Sequence, residues 1–311
     1  MCSCDEQLEK NANGPINFLS LITLLPAMLA DFMLQHSSTL LILLLSGFAI
    51  AAVFYPTYRH KKRQQQSLMT PFPASWRKIL RNNWPIYRKL PADLQIKLKK
   101  HIQLFLLEKQ FVGCEGLVIT DEMRVLIAAQ ACLLSLQRPL PQYPNLQTIL
   151  LYPAAFIVNA DTTNAGVVTS SQQTRLGESW QQGQIVLSWP HSKAGAQDAT
   201  DGHNLVFHEF AHQLDQENGP ANGAPTLRDT SHYQNWSAEL SKAFTELQQQ
   251  LQMQQTPFLD AYAATNPAEF FAVATEAFFE QPQAFQQVYP TLYRLLKGFY
   301  QLDPLSWPSE F

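Results

Sequence analysis

The sequence predicts an α+β fold in which helices come first, a small sheet follows, and the C-terminal half is helical. Three observations support this prediction. Helical periodicity covers residues 93–109 and 121–137, short runs typical of strands occupy the middle of the chain, and the pattern after His203 is helical throughout. An apolar run near the N-terminus precedes all of these elements and predicts a transmembrane segment.

The apolar run at residues 39–55 carries no charge and is close to the minimum length of a membrane span. A basic cluster follows it at once, formed by Arg59, Lys61, Lys62 and Arg63. Positive charge beside a span predicts a cytoplasmic C-terminal side. Since the basic residues follow the apolar run instead of preceding it, a cleaved signal peptide fits poorly. We therefore expect an anchor in the inner (cytoplasmic) membrane with the rest of the chain facing the cytoplasm.

A second apolar segment, residues 16–33, contains Pro26 and Asp31. It is either a second span, joined to the first by a hairpin through residues 35–38, or an amphipathic helix at the membrane interface. The sequence favours one span and leaves the second open.

Residues 59–100 hold twelve lysines and arginines and a single acid, Asp93. Part of this excess is the topology signal, and the rest could hold the domain against anionic lipid. These patterns divide the chain into an anchor region (1–58), a basic juxtamembrane linker (59–73) and a folded domain (74–311).

Within the folded domain, Thr120 is expected to cap the helix at residues 121–137. Strands are expected at residues 148–152, 155–158, 166–169 and 184–189. Further helices are expected at residues 236–253 and 267–280.

Composition excludes some classes of function. The net charge of −3 gives no reason to expect nucleic-acid binding. The four cysteines show neither disulfide nor zinc-ribbon spacing, which fits a reducing compartment.

The most informative motif is His208-Glu209-Phe210-Ala211-His212, which lies in an apolar helical segment. Histidines four residues apart share one helical face, so both imidazoles can reach one Zn²⁺. The glutamate between them is left to take a proton from water at the metal. Two histidines and a glutamate in a buried helix are costly without a partner, and a metal supplies that partner.

Zinc needs a third protein ligand, and the downstream candidates are acidic: Asp260, Glu269, Glu276 and Glu280. Asn266 and Pro267 mark a helix start, so Glu269 is also interpretable as the third residue of a capping box. Glu276 lies on nearly the same helical face but about 10 Å along the axis, so the two glutamates cannot bind one ion. Spacing by itself leaves Glu269 and Glu276 both open.

Several separated motifs resemble the Mlc titration factor A family of zinc peptidases. They are HEFAHQLD at 208–215, DAYAA at 260–264, PAEFFA at 267–272, and shorter stretches from FVGCEG at 111–116 to FYQLDP at 299–304. The likeness covers roughly residues 72–307. It implies a zincin-like fold with a catalytic core similar to the anthrax lethal factor protease. Members of this family resemble soluble proteins, so the N-terminal anchor is a departure from the family pattern.

The resemblance also implies roles for individual residues. His208, His212 and Glu269 would hold zinc, Glu209 would be the general base, and Tyr262 would stand over the site and donate a hydrogen bond to the oxyanion. The implied activity is peptidase, with a lean toward aminopeptidase-like action on small substrates. The family is named for sequestering the transcriptional repressor Mlc, so the alternative is a regulatory binding protein with weak or vestigial proteolysis.

Two further expectations concern the surroundings of the motif. Asp215 follows His212 by three residues on the same helical face, so we expect it to orient one imidazole or else to face solvent at the helix end. The strand at 184–189 is expected to form the sheet edge beside the zinc cleft and to pair with an extended peptide substrate. The alternative is an interior strand with both edges paired.

Overall fold

The computed structural model describes residues 18–308, apart from residues 141, 155, 165–166, 176, 181–182 and 228. The chain forms two units, residues 1–63 and residues 64–311. Each unit is described separately below.

Helix α1 (Phe18–Met69) supplies all the described structure of the first unit and continues into the second. Its part from Leu41 onward is long and apolar enough to cross a membrane, and none of its most apolar stretch is covered by protein. Because residues 35–38 lie inside this continuous helix, the hairpin alternative is not observed. Residues 59–69, which the sequence assigned to a linker, are also helical.

The second unit begins with four helices and short connections. Their bounds are α2 (Ala74–Asn83), α3 (Pro85–Lys89), α4 (Ala92–Glu108) and α5 (Asp121–Leu134). The Thr120 hydroxyl accepts a hydrogen bond from the Met123 N–H and caps α5, as predicted. Helix α5 is almost wholly buried and lies in the core between the first helices and the site.

The sheet is small and mostly parallel. Its strands are β1 (Gln110–Gly113), β2 (Thr148–Tyr152), β3 (Phe156–Asn164), β4 (Val167–Arg175), β5 (Gly177–Trp180) and β6 (Gln184–Ser188). The order β1-β2-β6-β5 pairs the first three in parallel and β5 antiparallel to β6, while β3 and β4 form a separate antiparallel hairpin. Strands β1 and β5 are the two not expected from the sequence, because each is only four residues long.

The expectation that residues 184–189 form the sheet edge is wrong. Strand β6 pairs with β2 along one side and with β5 along the other, so its backbone groups are used on both sides. Trp189 belongs to the following helix and not to the strand. The edge strand on this side of the sheet is β5, which pairs antiparallel with β6 from Gly177↔Leu187 to Trp180↔Gln184.

From Leu205 onward the chain is mostly helical, as predicted, whereas the helix at Trp189–Gln197 was not expected from the sequence. The helices are α6 (Trp189–Gln197), α7 (Leu205–Asp215), α8 (Tyr233–Gln252), α9 (Pro267–Glu280), α10 (Pro282–Val288) and α11 (Pro290–Tyr300), with short 3₁₀ turns including Ala261–Ala264. Helices α7 and α9 pack directly against one another, and aromatic residues such as Phe207, Phe279 and Tyr300 fill the space around them. This pairing positions the site.

Candidate metal centre

Helix α7 carries the HExxH motif and begins at a defined cap. The Asn204 side chain accepts a hydrogen bond from the Phe207 N–H at 2.9 Å, so the helix starts immediately before the motif. Glu209 and His212 are buried, at 4% and 8% exposure, whereas His208 is half-buried. The histidines therefore face the protein interior and not bulk solvent.

Helix α9 carries Glu269 in its first turn. The Asn266 side chain caps this helix by accepting from the N–H groups of Ala268 and Glu269 at 2.9 and 3.0 Å. Asn266 thus does the capping, and the Glu269 carboxylate is turned toward the histidines instead. The capping-box interpretation of Glu269 is not what the structure shows.

Three side chains converge on one point between α7 and α9. Glu269 Oε2 lies 2.9 Å from His208 Nε2 and 3.3 Å from His212 Nε2, and the two Nε2 atoms are 3.2 Å apart. Ligands of a tetrahedral zinc lie about 3.4 Å from one another when each is near 2.1 Å from the ion. The observed separations match that arrangement closely.

The chemistry of this donor set fits a cation. Burial by itself would lower the pKa of His208, but the nearby Glu269 and Glu276 carboxylates outweigh burial and hold this pKa well above its ordinary value. Burial would likewise raise the pKa of Glu269, yet the two histidines hold it well below the usual range. Two imidazole nitrogens and a carboxylate oxygen facing one another need a shared positive charge. A divalent metal supplies this charge with neutral histidines.

Glu276 has a different role from Glu269. Its Oε1 accepts a hydrogen bond from His208 Nδ1 at 2.8 Å, on the side of the ring away from the cluster. Its Oε2 accepts from the backbone N–H of Asn204. This arrangement fixes the imidazole with its proton on Nδ1 and its lone pair on Nε2, which is the tautomer that a metal ligand needs. Sequence spacing left Glu276 as a rival ligand, and only packing shows that it lies behind the histidine.

Asn204 ties this arrangement to the end of α9. Its amide Nδ2 donates to Glu280 Oε1 at 2.9 Å and to the Gly195 carbonyl at 2.9 Å. Burial raises the pKa of Glu280 to about 9, and the nearby Glu276 charge adds to this increase. Glu280 is therefore protonated at neutral pH. The sequence did not single out Asn204, because its role depends on residues more than seventy positions away.

Tyr262 lies beside the cluster and not in the core. Its ring centre is 6.0 Å from that of His208, and 53% of the residue is exposed. The Asp260 carboxylate accepts a hydrogen bond from the Tyr262 N–H at 2.7 Å, which holds the start of this 3₁₀ turn. A tyrosine that only packed in the core would be less exposed than this.

Asp215, the last residue of α7, is fully buried. Its Oδ2 accepts from the Gly223 N–H at 2.7 Å, and burial raises its pKa. In the part of the chain that the structure describes, neither its Oδ1 nor Nδ1 of His212 has a hydrogen-bond partner, although both atoms are buried. The role of Asp215 in orienting His212 stays a prediction.

Gly223 joins α7 to α9. Its N–H donates to Asp215, and its carbonyl accepts from Trp236 Nε1 at 2.8 Å. Its φ is +78°, and a Cβ at this position would lie 2.5 Å from the Pro267 carbonyl oxygen at the start of α9. Only glycine permits both the backbone conformation and this close approach.

An HExxH helix and a glutamate from a second helix, joined in one cluster of three side chains that could hold a metal ion, define the class of site found in metallopeptidases. The sequence agrees with this classification. Residues 58–301 match the family model described as glucose-regulated metallo-peptidase M90. The chain belongs to this family, the Peptidase M90 or Mlc titration factor A family.

Relatives cover most of the chain. A Synechocystis sp. protein named uncharacterized protein slr2042 is 44% identical over 78% of this chain and 89% of its own length. Mlc titration factor A of Yersinia enterocolitica is 35% identical over 80% of this chain and 94% of its own length. Mlc titration factor A of Klebsiella pneumoniae is 37% identical over 71% of this chain and 84% of its own length.

Proposed function

We propose that this protein is a zinc-dependent metallopeptidase. The observation that carries the proposal is the convergence of His208, His212 and Glu269, whose ligand atoms lie 2.9 to 3.3 Å from one another. When bound there, zinc would supply an electrophilic centre that acidifies water and polarises the scissile carbonyl. The family match supports the same activity.

The protein's own residues would then divide the remaining work. Glu209, buried beside His208, is the general base that accepts the proton of the attacking water and passes it to the leaving amine. Tyr262, partly exposed next to the cluster, donates a hydrogen bond to the developing oxyanion. Glu276 holds the His208 ring in one tautomer throughout.

A peptidase assay on the full chain in nonionic detergent tests this function. We expect zinc-dependent cleavage that a chelator abolishes and added zinc restores. The Glu209→Gln variant should bind zinc as the wild type does and lose activity, because only proton transfer is removed. Equal activity in this variant would overturn the proposed mechanism. Aminoacyl p-nitroanilides and internally quenched peptides, tested side by side, distinguish the aminopeptidase-like activity that we favour from endopeptidase activity.

We further propose that α1 anchors the enzyme in the cytoplasmic membrane, with the catalytic unit in the cytoplasm. Its exposed apolar part and the basic cluster that follows support this location. Protease added outside spheroplasts should leave residues 70–311 intact. Digestion of this region in intact spheroplasts would reverse the orientation.

The names of the relatives support a second candidate function. Several are called Mlc titration factor A, so a transcriptional regulator of the Mlc type is a candidate partner. The Glu209→Gln variant separates the two functions, because it should retain repressor binding while losing proteolysis. If the wild type shows no zinc-dependent cleavage and still captures such a repressor, the binding function replaces the enzymatic one.

A further inference from the structure

A basic cavity lies at the surface of the second unit, among helices α2, α3 and α4. Its volume is about 400 Å³. It is lined by Arg77, Arg81, Tyr87, Arg88, Gln95 and Lys99. None of these residues belongs to the helices that carry the metal centre. The volume lies within the range of small-molecule binding sites, which is about 300 to 1,000 Å³.

The lining contains four cationic side chains and no carboxylate. Arg88 Nη1 donates to the Arg81 carbonyl oxygen at 2.9 Å, which holds its guanidinium across the end of α2. Over residues 18–308 as described, Arg77, Arg81 and Lys99 form no ion pair with an acid. The three arginines are exposed, and an anion bound among them would reduce the repulsion between their like charges.

The charges of Arg77 and Arg81 also act on two other groups that line the cavity. Burial lowers the pKa of Lys99, and the Arg77 charge lowers it further. Burial raises the pKa of Tyr87, while Arg77 and Arg81 oppose that increase. The arginines therefore act on the same small volume from two turns of α2, since Arg77 and Arg81 are four residues apart.

The cavity lies near the last residues of α1, which belong to the second unit. Gln95, Lys99 and Gln103 follow one another at four-residue intervals, so they lie on one face of α4. Gln103 Nε2 donates to the carbonyls of Ser67 and Thr70, at 3.1 and 2.8 Å. The cavity thus begins about one helical turn from the place where the last residues of α1 are fixed to the domain.

We propose that this cavity is a binding site for a phosphate group. Guanidinium groups present several N–H donors in a planar fork that matches phosphate oxygens, and three arginines surround this space. A phosphate ester reaches it from one of two sources: the headgroup of an anionic phospholipid, or a soluble phosphorylated molecule. The Lys99 ammonium and the Gln95 amide, whose Nε2 also donates to the Leu90 carbonyl oxygen, line the same cavity from α4.

Calorimetric titration of the full chain in nonionic detergent with inorganic phosphate at low salt tests the site. We expect saturable binding that weakens at least tenfold in the double variant Arg77→Gln/Arg81→Gln. The matched control Lys242→Gln/Arg294→Gln removes the same charge elsewhere in the second unit and should bind within twofold of the wild type. Zinc content and peptidase activity should be equal in all three proteins, which separates this site from the metal centre.

The two sources are distinguished by lipid retention. Micelles containing phosphatidylglycerol or phosphatidylcholine are offered to the same three proteins, and retained lipid is measured by native mass spectrometry. Phosphatidylglycerol retention that is lost in the arginine variant supports the site and assigns it to lipid. If the arginine variant loses phosphate binding but retains lipid as the wild type does, the result supports the site and assigns it to a soluble ester. If neither depends on Arg77 and Arg81, the proposal is overturned.

Discussion

His208 Nδ1 donates a hydrogen bond to Glu276 Oε1 at 2.8 Å, and this contact joins α7, which carries the HExxH motif, to the C-terminal half of α9. The other oxygen of Glu276 accepts from the Asn204 N–H, at the cap of the same helix. One carboxylate therefore sets both the tautomer of His208 and the start of the helix that carries it. This double role accounts for a buried acid so close to the cluster of His208, His212 and Glu269.

Replacing Glu276 with glutamine should weaken zinc binding without abolishing it. The glutamine amide keeps one acceptor oxygen, but its NH₂ group cannot accept a hydrogen bond. Either His208 Nδ1 or the Asn204 N–H therefore loses the acceptor that it has in the wild type. We expect affinity to decrease by about tenfold or more, as for other residues that orient a ligand. Glu269→Gln should lose zinc much more completely, because a ligand is removed. Competition with a chromogenic chelator measures both, and the exposed Glu246→Gln serves as control. Zinc loss in the Glu276 variant that exceeds the loss in the Glu269 variant would reverse the assignment.

Replacing Tyr262 with phenylalanine should lower kcat by about 10²-fold and leave zinc content unchanged. The oxyanion exists only along the reaction path, so a donor to it affects kcat and not ground-state binding. Steady-state kinetics on a slow peptide provide the measurement. Tyr58→Phe, on α1, is the control. An unaltered kcat in the Tyr262 variant would remove this residue from the mechanism.

Replacing Asp215 with asparagine tests whether it orients His212. Asparagine still offers an oxygen to the Gly223 N–H, but it loses the negative charge that the imidazole would contact. We expect zinc affinity to decrease by about tenfold. Asp215→Ala removes both contacts and should have the larger effect. Wild-type affinity in the asparagine variant would restrict Asp215 to holding the loop.

Replacing Gly223 with alanine should destabilise the fold and weaken zinc binding together. The new Cβ meets the Pro267 carbonyl at 2.5 Å, and Pro267 begins the helix that carries Glu269. Gly116→Ala is a matched control, because its φ is also +78° but nothing lies within 4 Å of its added Cβ. The control should lose about 1 kcal/mol of unfolding free energy from backbone strain, and Gly223→Ala clearly more. Equal losses in the two variants would show that the contact with Pro267 does not matter.

Replacing Glu280 with glutamine should reduce the pH dependence of stability. The folded pKa of Glu280 is about 9, whereas an unfolded glutamate titrates near its ordinary value. Between these two values the folded state holds one more proton, so the stabilising contribution is complete at low pH and is lost as pH rises. The wild type should lose up to about 1.4 kcal/mol per pH unit relative to the variant. Urea unfolding followed by tryptophan fluorescence at pH 5.5 and 7.5 measures the free energy of unfolding of both proteins. An equal change in the two proteins between these pH values would contradict the prediction.

The sequence by itself determined the local features of this protein. It predicted the HExxH helix, the caps at Thr120 and Asn266, strand β2, and the uncharged apolar run within α1, because each depends on neighbours a few positions away. The resemblance to a family favoured Glu269 over Glu276, which spacing had left open, and Glu269 is the acid that lies with the two histidines. The bounds of α9 were also correct, since Pro267 begins that helix in sequence as in structure.

Tertiary structure decided everything that depends on distant pairing. Strand β6 is interior because the four-residue β5 pairs with its free side, and no periodicity can be recognised in so short a segment. Glu276 contacts the Nδ1 side of His208 because of the way α9 packs against α7. The seven-residue spacing between Glu269 and Glu276 does not reveal this packing. Gly223 is required by the approach of Pro267, which is distant in sequence. Spacing along a helix gives the direction of a side chain, whereas its partner depends on how the helices pack.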